Sequence, residues 1–410
     1  MKNKVLTGLL LVLIGGWGSL LAQNAGSNYA RQVNTLIGTK GVGLTSGYLY
    51  PGATYPYGMV QFTPSYFSKR SGFVINQLSG GGCEHMGNFP TFPVKGKLKM
   101  SPDNILNYRI NISEEKGHAG YYEAMVQEDI KAKLTVTERT GMANYEYPAD
   151  QQYGTVIIGG GISATPIEQA AVVITAPNKC EGYAEGGNFC GLRTPYKVYF
   201  VAEFDADALE SGTWKRDELK PNTTFAEGEY SGVYFTFDVS KKKNIQYKIG
   251  VSYVSVENAR ENLKAENTGW DFLQIQNQAE SKWNDYLGKI EVEGTNPDRT
   301  TQFYTHLYRS FIHPNVCSDV NGEYMGADFK VHKSRSKHYT SFSNWDTYRT
   351  QIQLLSMLDP EVASDIVISH QLFAEEAGGA YPRWVMANIE TGVMQGDPTP
   401  ILISNAYAFG

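Results

Sequence analysis

Between Ser341 and Thr350 the chain reads Ser-Phe-Ser-Asn-Trp-Asp-Thr-Tyr-Arg-Thr, and Arg383-Trp384 follows 34 residues after Arg349. Acids, guanidinium groups and indoles in this pattern suit a sugar. A carboxylate or a guanidinium binds vicinal hydroxyls in bidentate fashion, and an indole face covers the apolar C–H side of a pyranose. Ser343 or Asn344 can cap a helix in which Trp345, Tyr348, Ile352 and Leu355 recur at helical spacing, leaving Asp346 and Arg349 on a neighbouring face. The structural alternative is an Asp favoured by the helix dipole and paired with Arg349.

Residues 79–93, Ser-Gly-Gly-Gly-Cys-Glu-His-Met-Gly-Asn-Phe-Pro-Thr-Phe-Pro, set Cys83, Glu84 and His85 on a tightly turned loop. Long loops of this kind are more often functional than packed. Thiol catalysis is rejected, because nothing lowers the Cys83 pKa or brings a base to its sulfur. Cys180 and Cys190 bracket Glu181–Phe189, which reads as a Gly- and Asn-containing loop, and could close it as a local disulfide, while Cys83 and Cys317 have no evident partner. No close Cys pair of the zinc type occurs. Asp319-Val320-Asn321-Gly322 begins like a calcium loop but lacks the later acidic position, and is expected to be a hairpin turn.

These residues need elements to position them. From about Asn28 to Ala259 the chain alternates apolar and polar residues between Gly, Pro, Asn and Asp turns, with strands expected at Ala132–Thr137, Thr155–Ile158, Lys197–Phe204, Val233–Asp238 and Ile245–Val254. The fold class is therefore β plus α multidomain. An antiparallel β-sandwich over 23–259 is followed by a helical linker over 260–296, with Trp270, Phe272, Leu273, Trp283 and Leu287 as its apolar points. Ile290–Glu293 is a short strand candidate. Asn296-Pro297-Asp298 caps a helix carrying Phe303, Leu307 and Phe311. Asp359-Pro360-Glu361 starts another, which Gly378-Gly379 stops, and a last one runs from about Pro400. Residues 297–410 read as the first part of a helical barrel, too few helices to close one, so an N-terminal portion of a longer protein or a shortened relative is expected.

Residues 1–22 have the form of a secretory signal peptide. Lys2 and Lys4 precede the apolar run Val5–Ile14, and Leu20-Leu21-Ala22 offers a cleavage site before Gln23. That run is too short to span a membrane, and no later segment approaches the roughly 18 apolar residues of a transmembrane helix. A periplasmic or secreted protein is expected. With net charge −6 and no basic block, the chain carries no footprint for nucleic acid.

In order along the chain, Asn34–Thr39, Pro51–Gln61, the Ser79–Cys83 glycine loop, Gly250-Val251-Ser252-Tyr253, Trp345–Thr350, Pro382-Arg383-Trp384 and Met394-Gln395-Gly396-Asp397 resemble glycoside hydrolase family 92, the exo-acting, calcium-dependent α-mannosidases. The likeness runs from about Val33 to Gly410. It implies an N-terminal β-sandwich, a C-terminal (α/α)6 barrel, inversion at the anomeric centre, Ca2+ as cofactor and a mannose-containing glycan as partner. It also implies that Asp346 and Arg383 hold hydroxyls of the terminal mannose, with Trp345 and Trp384 beside them. The glycine loop, with Cys83, Glu84 and His85, contributes to the neighbouring subsite. Here Glu84-His85-Met86 and Asn88-Phe89-Pro90 depart from the family pattern, which leaves the leaving group open. The family's general acid, general base and calcium ligands are expected beyond Gly410, so no catalytic residue is assigned in this chain. Asp346, Glu375, Glu376 and Asp397 match neither role. Two functional expectations follow: an exported enzyme releasing terminal α-linked mannose by an inverting displacement, or a non-catalytic glycan-binding remnant.

Overall fold

The computed structural model describes residues 28–39, 48–65, 72–103 and 111–410, so the expected signal segment lies outside the described residues. Among the described residues two large antiparallel sheets come first. One runs in the order Ala53–Thr54, Gln61–Pro64, Phe73–Val74, Thr91–Lys95, Tyr153–Ile158, Ser231–Asp238, Glu210–Lys215, Glu218–Pro221. The other runs Phe225–Glu227, Ile167–Ala176, Lys179–Phe189, Leu192–Phe204, Asn244–Ser252, Thr140–Glu146, Ile130–Val136, Tyr121–Val126, Ile112–His118. The five strands expected from period-two alternation coincide with members of these sheets to within a few residues.

Alternation explains how the sheets meet. In Leu192–Phe204 the side chains of Tyr196, Val198, Phe200, Ala202 and Phe204 are buried while Lys197 and Tyr199 face outward. Phe204 packs on Phe235 and Phe237 of the opposite sheet at ring-centroid distances of 4.9 and 5.2 Å. The outer face is covered too. Val201 lies under the helix Val256–Glu266 with Ala259 and Leu263, and Met142 lies under the helix Phe272–Leu287 with Phe272 and Ile275. Ser255 and Asp271 cap these two helices by accepting hydrogen bonds from Asn258 N and Gln274 N, each at 3.0 Å.

Helices Pro297–Ser310, Gln351–Leu358, Pro360–Glu376 and Thr399–Ala408 follow, with Asn296 accepting from Asp298 N at the first N-terminus. They share one core with the sandwich rim. Tyr57, from the sandwich, meets Tyr286, Phe311 and Tyr339 edge to face at 5.7, 6.1 and 6.1 Å. Asp319 fastens the same seam, accepting from Ser252 Oγ at 2.6 Å, Asn258 Nδ2 at 2.9 Å and Asn262 Nδ2 at 2.6 Å. With both its oxygens taken by protein donors, the turn at 319–322 serves as a joint; Gly322 N donates to Asp319 O within it, and the following hairpin turns instead between Glu323–Met325 and Val331–Lys333.

Three expectations are corrected. Ile290–Glu293 forms no strand. The helix expected after Ser343 is two pieces, Asn344–Thr347 and Gln351–Leu358, because Thr350 takes a left-handed conformation with φ of 67°. Cys180 and Cys190 are not bonded to each other. The loop expected between them is instead the strand Lys179–Phe189, whose rise of about 3.3 Å per residue carries the two sulfurs to opposite ends. Cys190 is bonded to Cys83 instead, and Cys180 and Cys317 are buried free thiols.

Candidate functional site

A cavity of about 630 Å³ opens where the sandwich rim meets the helices. Gly80, Gly81, Gly82 and Cys83 form one wall, Phe189, Cys190 and Trp384 a second, and Ser343, Asp346, Thr347 and His370 a third. Backbone pairing brings the second and third walls together. Val385 N donates to Phe342 O at 2.9 Å and Asn344 N to Arg383 O at 3.0 Å, so the Trp345 and Trp384 motifs lie side by side despite their separation in sequence. Asn344 reinforces the join, its Nδ2 donating to Pro382 O at 3.0 Å and to Thr399 Oγ1 at 2.8 Å.

Asp346 occupies the first turn of the short helix, and Ser343 Oγ donates to its carboxylate. Arg349 does not pair with it. The Arg349 guanidinium lies over the Tyr348 ring at 4.9 Å and its Nε donates to Tyr348 Oη at 2.6 Å. Among the described residues Asp346 is the one carboxylate lining this cavity. Trp384 is 5% exposed and stacks on Phe189 at a centroid distance of 4.4 Å, forming an apolar floor. Arg383 is not part of the cavity lining; its Nη1 donates at 2.9 Å to the backbone oxygen of Met394, which is, and so links two of the motifs recognised in the sequence.

The remaining expected contacts are differently placed. Trp345 is 40% exposed and is not part of the cavity lining. Glu84 faces a separate depression of about 240 Å³ with Ser163, Thr165, Glu229 and Tyr230. His85 is fully buried beneath the loop, its Nε2 accepting from Leu78 N at 2.8 Å and its Nδ1 donating to Cys83 O at 2.6 Å. It shapes the glycine loop from below and does not reach the cavity.

His313 supports the same loop from the helical side. Its Nε2 accepts from Ser79 N at 2.8 Å while Nδ1 faces Asn315 Oδ1 at 2.7 Å. Burial pushes the pKa of each imidazole down to about 4, against weaker upward pulls from their hydrogen bonds, and for His313 the neighbouring His85 and Arg309 add to the lowering. Neutral rings are what accepting a backbone N–H requires. Arg309 anchors the chain's opening loop, donating to Thr35 O at 2.7 Å and Tyr50 O at 3.1 Å. His370, stacked on Phe342 at 3.9 Å, closes the base of the cavity and is likewise lowered to about 4 by burial.

Phe189, Cys190, Arg309, His313 and His370 were not anticipated as site residues. Cys190 carried a signal as one of four cysteines; the others are ordinary types in strands and helices, and only the tertiary fold assembles them.

Among the described residues no group of three or more His, Cys, Asp or Glu side chains converges as a metal site. The residues at this cavity therefore do not by themselves make the oxygen cage a calcium ion needs.

The described residues thus form a double-sheet sandwich leading into helices, with a carboxylate, an indole floor and a glycine wall around a cavity at their seam. The chain belongs to glycosyl hydrolase family 92: residues 32–252 match the family's N-terminal domain and residues 258–410 its catalytic domain. A family GH92 alpha-mannosidase of Bacteroides thetaiotaomicron superposes with a TM-score of 0.84 at 24% identity, over 94% of this chain and 56% of that one. The same enzyme in complex with mannoimidazole gives 0.83 at 25% identity, over 93% and 55%. A family GH92 inverting mannosidase of that species gives 0.80 at 24%, over 93% and 52%. An uncharacterized secreted glycosidase of Arthroderma benhamiae is 26% identical, over 83% of this chain and 48% of its own length. The chain thus spans about half the length of these relatives.

Proposed function

We propose that this chain supplies the sugar-holding wall of an exported α-mannosidase that releases terminal α-linked mannose from glycans with inversion. The observation that carries the reading is Asp346, a carboxylate set by Ser343 on the edge of a cavity whose floor is the Trp384 indole. A carboxylate accepting two hydroxyls and an indole under a C–H face recognise a pyranose. The mannosidase relatives narrow the class of sugar, and the secreted relative supports export.

Inverting hydrolysis needs two carboxyl groups roughly 6.5–9.5 Å apart, one to protonate the leaving oxygen and one to activate water. A single carboxylate lines the cavity among the described residues, so the share assigned to this chain is binding and orientation. Arg383, bonded to the lining residue Met394, is assigned to the terminal sugar with Asp346. Trp345, half exposed beside the cavity, and Cys83 on its wall are assigned supporting contacts. Calcium dependence belongs to this reading through the family resemblance.

The test is to incubate the protein containing this chain with an aryl α-mannoside and an α-mannobiose and to follow the product by proton NMR. Release of mannose, first as the β-anomer, and loss of turnover on chelation with recovery on adding Ca2+, is the expected result. Net retention, or cleavage of α-glucosides in preference to α-mannosides, overturns the assignment. Binding of mannose without turnover instead supports the non-catalytic glycan-binding reading, which the single cavity carboxylate favours.

A further inference from the structure

Strands Lys179–Phe189 and Leu192–Phe204 pair as a long hairpin whose tip leaves the sandwich and enters the cavity wall. Along the first strand the buried positions are even, Cys180, Gly182, Ala184 and Gly186; past Gly187 they become odd, and Phe189 is buried. The register slips between Gly186 and Asn188, where Gly186 and Gly187 take φ of 152° and 142°. Added Cβ atoms would meet Pro166 O at 2.6 Å and Thr194 O at 2.4 Å, so only glycine fits there. An irregularity of this kind re-aims the side chains beyond it.

Beyond it, three contacts converge. Phe189 stacks on Trp384 at 4.4 Å and meets the edge of His85 at 5.8 Å. Cys190, in the tight turn with Gly191 at φ of 51° and 86°, bonds to Cys83 at the end of the glycine loop. Asn188 Oδ1 accepts from Gly191 N at 3.0 Å and closes the turn. The start of the glycine wall is held by His85 and His313 at Leu78 N and Ser79 N and by Gly80 N donating to Tyr48 O at 2.9 Å, whereas around its far half there is space: a Cβ at Gly82 would meet only Tyr48, at 3.9 Å. The disulfide ties the Cys83 end of that wall to the hairpin tip, and so sets how far this end stands from the Phe189–Trp384 floor.

We propose that the hairpin tip, through Phe189 and the Cys83–Cys190 disulfide, is a specificity-determining element that fixes the width of the cavity and so how large a glycoside it holds in register. This rests on the mannoside reading above. A wall free to move admits a small aryl group as readily as before but no longer pre-organises contacts to a second pyranose, so discrimination is what changes.

The experiment compares kcat/KM for an α-mannobiose and an aryl α-mannoside in the parent, Phe189→Ala, Cys190→Ser and the parent treated with a phosphine reductant, with thiol alkylation and mass measurement to confirm the bond's state. Calorimetric binding of the disaccharide and the thermal midpoint are recorded for each. The expected result is that the disaccharide-to-aryl ratio of kcat/KM falls at least tenfold, mainly through KM, in both variants and in the reduced protein. If both substrates fall together in step with the thermal midpoint, or neither changes, the hairpin is a structural brace only and the inference fails. A parent that neither binds nor cleaves α-mannosides overturns the mannoside reading, and this inference with it.

Discussion

His85 and His313 reach the glycine loop from opposite sides and accept hydrogen bonds from consecutive backbone groups, Leu78 N and Ser79 N, each at 2.8 Å. Both imidazoles must be neutral to do so, and protonation of either would turn an acceptor towards a donor.

A pH dependence of stability follows. Both folded pKa values are lowered to about 4, while an unfolded histidine titrates near 6.5. Stability from these groups is complete above about pH 6.5 and is lost as the pH falls from there to about 4, because the unfolded chain binds the protons first. Each ring contributes a slope of up to about 1.4 kcal/mol per pH unit in that window. With both values lowered alike, the two rings should contribute comparably. Urea unfolding at pH 7, 6 and 5 checks this; His313→Gln, whose amide oxygen can replace Nε2 as acceptor, should flatten the curve, and an unchanged curve contradicts the assignment.

Asp346→Ala and Arg383→Ala should each lower kcat/KM on an α-mannoside at least about tenfold, since a charge-assisted hydrogen bond to a hydroxyl is worth roughly 1.5–3 kcal/mol. Thermal midpoints should stay near the parent's. Arg349→Ala should have little effect on either quantity, because Arg349 lies on Tyr348 and makes no contact with Asp346. Near-parental kcat/KM in Asp346→Ala would remove the sugar contact from the assignment.

Asp319→Asn should destabilise the protein by roughly 1–3 kcal/mol. Both carboxylate oxygens accept from side-chain donors, so an amide nitrogen in either orientation faces a donor. Burial raises the Asp319 pKa in spite of these donors, which marks how fully the group is withdrawn from water. Chemical denaturation decides it, and an equal or higher midpoint would rule the joint out as a stabilising element.

The sandwich and the order of elements were legible because alternation of apolar residues over strands such as Leu192–Phe204 is a local signal. Helix starts at Asn296 and Asp359 were legible for the same reason, Pro following a capping residue. The Cys83–Cys190 bond was not: its partners are 107 residues apart and meet only after a glycine irregularity turns a hairpin tip. The buried place of His85 was equally hidden, since a polar loop residue and the pin beneath a loop look alike in one dimension. Asp346 and Trp384 were singled out as types of side chain a sugar needs, and both line the cavity.

Tyr57, on the sandwich side, has its three ring neighbours Tyr286, Phe311 and Tyr339 on the linker helix and beyond. Recombination between relatives at the junction near residue 255 would therefore separate a residue from all three of its aromatic partners at once. Exchangeable units in this architecture are segments that do not cross that seam, such as surface loops. Divergence in the sugars recognised is then expected to proceed by insertion and replacement in such segments, with the two halves around the Tyr57 seam inherited together.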